Sequence, residues 1–178
     1  MSADSIPLAK VFAGWAGFQH SLVEAVRPLT SAQLAWRPAP QLRSVGELAA
    51  HIAHGRLVVF SRIQPALAAE LASETEPDNP QETLYGNAQA LARNLQSSWE
   101  LIADALSEWT VADLDTTYRF TNGGQTFALS RQWNIWLALT HDMHHGGELA
   151  TLLSIQGIPT PLRGDRFGHL VDPPLAQD

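Results

Sequence analysis

The chain has 178 residues, with 11 Lys and Arg against 18 Asp and Glu, a formal net charge of −7, and 45% hydrophobic but only 16% charged residues. A chain of this length hides roughly 70% of its unfolded surface on folding; its apolar content excludes a disordered polymer, and its acidic balance argues against a nucleic-acid partner, which would want a basic face. With no cysteine there is no disulfide, thiolate ligand or thiol nucleophile, so any metal must rest on His, Asp or Glu.

Helical periodicity dominates. Residues 1–10, MSADSIPLAK, show no basic start followed by an apolar run, and no uncharged apolar stretch reaches the roughly 18 residues of a membrane span. The expectation is a cytoplasmic protein without a membrane partner. The first helix is predicted to open at Ser5 as N-cap, with Pro7 in the first turn, and to end at Pro28. Leu8, Val11, Phe12, Trp15, Phe18, Leu22 and Val26 mark its apolar face. A connector over 29–43 follows, with a short turn at 31–35 behind Thr30 and Gln33, then the Pro38-Ala39-Pro40 break. Ser44-Val45-Gly46-Glu47 fits a capping box and starts the second helix, which is expected to run to about Gln64.

Pro65 kinks that helix or begins a short separate one, and 73–80 reads as loop. Asn79 as N-cap, Pro80 and Glu82 then predict a third helix to about Glu108. Thr117-Tyr118-Arg119-Phe120 and Gln125-Thr126-Phe127 flank Asn122-Gly123-Gly124, which fits a small β-hairpin or a plain ordered loop. The last helix is predicted from Ser130 to Gly157, with Pro159 beyond it and an irregular tail over 160–178. Four helices with one apolar face each bury those faces most simply as a four-helix bundle, an all-α single domain over 1–178.

Five of the seven histidines fall on two of these helices: His51 and His54 on the second, His141, His144 and His145 on the fourth. Helical residues four apart lie about 40° apart in azimuth and about 6 Å along the axis. His141 and His145 can therefore aim at one ion, and a third ligand must come from His51 or His54. His51 is preferred because it lies in the apolar stripe of Leu48, Ile52, Gly55 and Val59. Three neutral imidazoles leave coordination positions open, the catalytic rather than the structural pattern. Glu148 shares the face of His141 and His145; Asp142 does not. His20 and His169 have no partner at useful spacing and read as structural. Trp15, Trp99, Trp133 and Trp136 read as core or dimer interface. Arg43 and Arg62 fit either an anionic substrate or solvated helix ends.

Ser44-Val45-Gly46-Glu47-Leu48-Ala49-Ala50-His51 and His141-Asp142-Met143-His144-His145-Gly146-Gly147-Glu148-Leu149 resemble the two signature segments of the DinB/YfiT-like metalloenzymes. Leu34-Ala35-Trp36-Arg37-Pro38 resembles that family's connector, and the likeness runs from the first helix to Pro159. It implies a four-helix bundle with a long crossover between helices two and three, and a divalent ion, nickel or zinc, held by His51, His141 and His145. It also implies a homodimer and, in some relatives, thiol-dependent S-transfer or isomerisation with a low-molecular-weight thiol. Sixteen residues over 65–80 reach about 50 Å extended, enough for a crossover of roughly 30 Å.

The chain departs from the family where Arg-Gly-Gln commonly follows the His pair: here it is Gly146-Gly147-Glu148. Glu148 is thereby a candidate fourth ligand, an anchor behind His145, a general base, or equally a solvated helix-end charge. Each glycine costs roughly 1 kcal/mol against Ala, which suggests a close helix contact or room above the metal. Two functions follow as expectations. One is a metal-dependent enzyme, hydrolytic or S-transferase-like, acting on a small molecule. The other is a non-catalytic metal-binding or interaction protein forming a stress-related homodimer.

Overall fold

The computed structural model describes residues 5–64 and 85–163. In chain order its helices are α1 (Leu8–Val11), α2 (Ala13–Val26), α3 (Ser31–Ala35), α4 (Val45–Ser61), α5 (Ala88–Glu108) and α6 (Arg131–Ile155). Between α5 and α6 lie β1 (Thr117–Asn122) and β2 (Gln125–Ser130). The protein is thus mostly helical with one small antiparallel hairpin. No helix among the described residues is long and apolar enough to cross a membrane.

Local chemistry sets most of the helix starts. Thr30 and Gln33 form a reciprocal capping box at α3, and Ser44 and Glu47 form another at α4. Each satisfies two backbone donors that would otherwise lack a partner, and such a cap is worth about 1 kcal/mol. Ser130 caps α6 by accepting the Trp133 N–H. At the other end of α6, Gly157 takes φ +71°, the left-handed conformation in which glycine costs least. The two-residue turn Gly123-Gly124, with φ of 56° and 78°, pairs Asn122 with Gln125 and makes the hairpin rather than a plain loop.

Three boundaries differ from expectation. The first helix is broken at Phe12, whose φ of −105° and ψ of 25° leave helical geometry, and it starts behind Pro7 rather than at Ser5. The later start is set by tertiary contacts: Pro7 bridges Thr110, and Leu8 donates its N–H to the Trp109 carbonyl at 2.8 Å. Val11, assigned to the apolar face, is consequently 55% exposed. Second, α4 ends at Ser61. Third, α5 does not run on from Asn79-Pro80: the chain turns at Gly86, and Asn87 caps the helix by accepting the Ala90 N–H. The predicted start at residues 79–80, the Pro65 kink and the crossover over 65–80 lie outside the described residues. So does the tail beyond 163, although Pro161–Arg163 forms a short 3-10 turn with Leu162 buried.

Helix α4 is central, packed on both α5 and α6, while α2 packs on α5. Leu22, Ile52, Leu91, Leu95, Ile102 and Leu149 are completely enclosed in the shared core. Phe60 stacks on Trp109, with ring centroids 6.2 Å apart. Trp15 and Trp99 meet edge to face at 5.4 Å. Trp133 and Trp136, however, are not core: they are 46% and 63% exposed, because both stand on the outer face of α6.

Candidate metal centre

The buried row of α6 is Asn134, Ile135, Ala138, Asp142, Gly146, Leu149 and Leu153. His141 and His145 sit on the adjacent row and are only partly enclosed, a consequence of the helical turn of about 100° per residue. His51 stands on α4 at the same depth. The three side chains meet: Nε2 of His51 lies 3.1 Å from Nε2 of His145 and 3.3 Å from Nε2 of His141. Their rings are inclined to one another by 51° to 83° rather than stacked, so nitrogen edges converge. His54, the alternative to His51, is exposed on α4; His144 and His20 are exposed as well. His169 lies outside the described residues.

The protonation pattern suits ligation. Nδ1 of His145 lies 2.7 Å from Glu148 Oε2. A carboxylate only accepts, so the proton belongs on Nδ1 and the lone pair on Nε2, facing the other two rings. Burial pushes His51 down to about 4, with the positive charge of Arg43 adding to the effect. Burial also lowers His145, although the Glu148 hydrogen bond pulls the other way. Both rings are therefore neutral at neutral pH. For Glu148 burial raises the pKa, but the His145 hydrogen bond and the Arg43 charge outweigh it and hold the carboxyl below its ordinary range.

The residues fit a divalent ion. Two nitrogens at 2.0–2.1 Å from one ion stand about 3.3 Å apart at a tetrahedral angle and about 2.9 Å apart at a right angle. The separations of 3.1 and 3.3 Å lie within that range, and an all-imidazole donor set suits Zn, Ni, Cu or Fe. Glu148 engages the far side of the His145 ring, at Nδ1, with its other oxygen 3.5 Å from His144 Nε2. The two glycines answer separately. A side chain at Gly146 would overlap the Phe18 ring on α2, so that glycine serves a close contact, whereas Gly147 faces open space.

One element of the site went unread in the sequence. Arg56 and Asp142, both fully buried, pair beneath the histidines with Arg56 Nη2 2.8 Å from Asp142 Oδ2. Arg56 Nε donates to both carboxylate oxygens at 3.0 Å, and Trp15 Nε1 donates to Oδ2 at 2.8 Å. Arg56 Nη1 donates to Gln19 Oε1 at 2.7 Å and to the Leu95 carbonyl at 3.0 Å. One polar knot thus joins α2, α4, α5 and α6. Burial opposes the charge on Asp142, yet Arg56 and the Trp15 N–H hold its carboxyl below the ordinary range. The signal was present: Arg56 follows Leu48 and Ile52 at intervals of four, and Asp142 interrupts the row of Ile135, Ala138 and Leu149.

A family model, the DinB superfamily, matches residues 16–149. Two solved structures share the fold. A DinB-like protein from Bacillus cereus is 22% identical, with a TM-score of 0.64 over 84% of this chain and 92% of that one. A DinB-like protein from Bacillus subtilis is 17% identical, with a TM-score of 0.64 over 84% and 94%. No curated protein matches the chain with significance.

Proposed function

The chain belongs to the DinB superfamily, and from that premise we propose that it is a divalent-metal-dependent enzyme acting on a small molecule. His51, His141 and His145 would hold the ion, nickel or zinc. The observation that carries this reading is the convergence of three Nε2 atoms at 3.1 and 3.3 Å, with His145 in the tautomer that turns its lone pair inward. An ion on three neutral ligands leaves room for a water or thiol and lowers its pKa toward neutrality. Without a cysteine the chain has no sulfur nucleophile of its own, so S-transfer would take a low-molecular-weight thiol from solution; hydrolysis would take water. Glu148 holds His145 through Oε2 and keeps Oε1 clear of that bond, where an ionised, half-exposed carboxylate is able to receive a proton. The same premise supports reading the four long helices as a four-helix bundle and the protein as a homodimer.

If Glu148 anchors the ligand, Glu148→Ala weakens zinc binding about tenfold to hundredfold, while melting of the metal-free protein stays near that of the parent. Competition against a chromophoric chelator measures the first, and scanning calorimetry the second. For the function itself, freshly purified protein is expected to carry one divalent ion per chain by elemental analysis. It is also expected to turn over an activated ester or a thiol-plus-electrophile pair only while that ion is present. The exposed Trp133 and Trp136 favour one competing reading, a non-catalytic interaction protein with a structural metal. That reading gains if stripping the ion lowers the melting temperature and no turnover is found in either state.

A further inference from the structure

Gly55 lies inside α4, one turn beyond His51, and its backbone is ordinary helix: the glycines with positive φ are 123, 124 and 157. No conformational demand therefore calls for glycine at 55, and in a helix interior it is disfavoured against Ala. Its neighbour across the packed α4–α6 surface explains it. A Cβ at residue 55 would overlap Cε1 and Nε2 of His141 outright and stand 3.1 Å from Nδ1. The imidazole of His141 occupies the volume that a side chain at 55 would fill.

The two imidazoles of α6 are held by different means. His145 is fixed by the Glu148 hydrogen bond at Nδ1. Nδ1 of His141 is buried with no hydrogen-bond partner, and Asp142 Oδ1 is 3.8 Å away. We propose that Gly55 is the positioning residue for His141, holding the ligand nitrogen in register by the shape of the seat it leaves open. The inference rests on the reading of His51, His141 and His145 as a metal triad. Restoring ordinary contact between a Cβ and the ring moves Nε2 by about 1 Å. Metal–ligand distances tolerate only about 0.2 Å. The ring is the free end of a side chain and can swing aside, so the fold tolerates what the ligand set does not.

The test is Gly55→Ala, alone and combined with His141→Ala, using Zn²⁺ titrated against a chromophoric chelator and the melting temperature of the metal-free proteins. Gly55→Ala is expected to bind Zn²⁺ about tenfold to hundredfold more weakly than the parent while melting no lower. In the His141→Ala background the overlap is gone, so adding Gly55→Ala should raise the melting temperature by more than it does in the parent. Unchanged Zn²⁺ affinity in Gly55→Ala overturns the proposal, and so does an equal melting shift in both backgrounds. If Gly55→Ala alone does not fold, recovery in the double variant supports the overlap, and failure to recover overturns it. A parent that binds neither Zn²⁺ nor Ni²⁺ sinks the triad instead, and the melting comparison still judges the seat at residue 55.

Discussion

Arg56→Ala is expected to destabilise the protein by about 3–5 kcal/mol, the range found when one partner of a buried ion pair is removed. The loss comes less from the missing attraction than from Asp142, left ionised and enclosed with Trp15 as its remaining strong donor. Guanidinium unfolding at pH 7 measures it. Replacing both partners by apolar residues of similar volume, Arg56→Met with Asp142→Leu, should recover much of the loss, though the Trp15 N–H and the Gln19 carbonyl oxygen would then lack partners. The pH dependence has a defined sign. Asp142 is held below its unfolded value of about 3.9. The pair's contribution is therefore fully present above about pH 4 and is lost as pH falls through the lower folded value. The gap between parent and variant should narrow below pH 4; a gap constant to pH 2 would show that the pair is not the source.

His145→Ala should cost the site at least about a hundredfold in Zn²⁺ affinity. Structural zinc sites gain about 10–16 kcal/mol from four ligands, or roughly 3 kcal/mol for each, and this change also strands Glu148 without the ring it holds. Full occupancy in that variant would end the three-histidine reading. Metal-free protein offers an independent check through His51. Its folded pKa of about 4 lies below the unfolded value of about 6.5. The unfolded chain takes up a proton that the native site refuses, so stability falls as pH drops from about 6.5 to about 4. His51→Gln in the metal-free protein should flatten that slope, and urea midpoints across the interval would show whether it does.

What could be read in advance was what depends on neighbours three or four residues away. The Ser44–Glu47 and Thr30–Gln33 boxes, the Gly123-Gly124 turn and the His141–His145 spacing are all local, and the structure has each of them. Choosing His51 over His54 needed only the apolar stripe of α4. The start behind Pro7 was beyond reach because it follows from Pro7 meeting Thr110, a hundred residues on. Gly86-Asn87 was a readable stop and start that the Asn79-Pro80 signal overshadowed. Arg56 and Asp142 were visible as charges in apolar rows, but each makes sense only once the other helix is beside it. Gly55 is the extreme case, since its meaning lies wholly in a ring from another element.

His141 and Asp142 are consecutive, yet one faces the mouth of the site and the other the sealed interior. A single-residue insertion in α6 ahead of them would rotate everything downstream by about 100°. An imidazole would swing toward the guanidinium, and the carboxylate would swing out of its reach. Length between Ser130 and Glu148 is therefore as constrained as identity, and homologous lineages should vary this stretch by exchange of residues rather than by gain or loss of them.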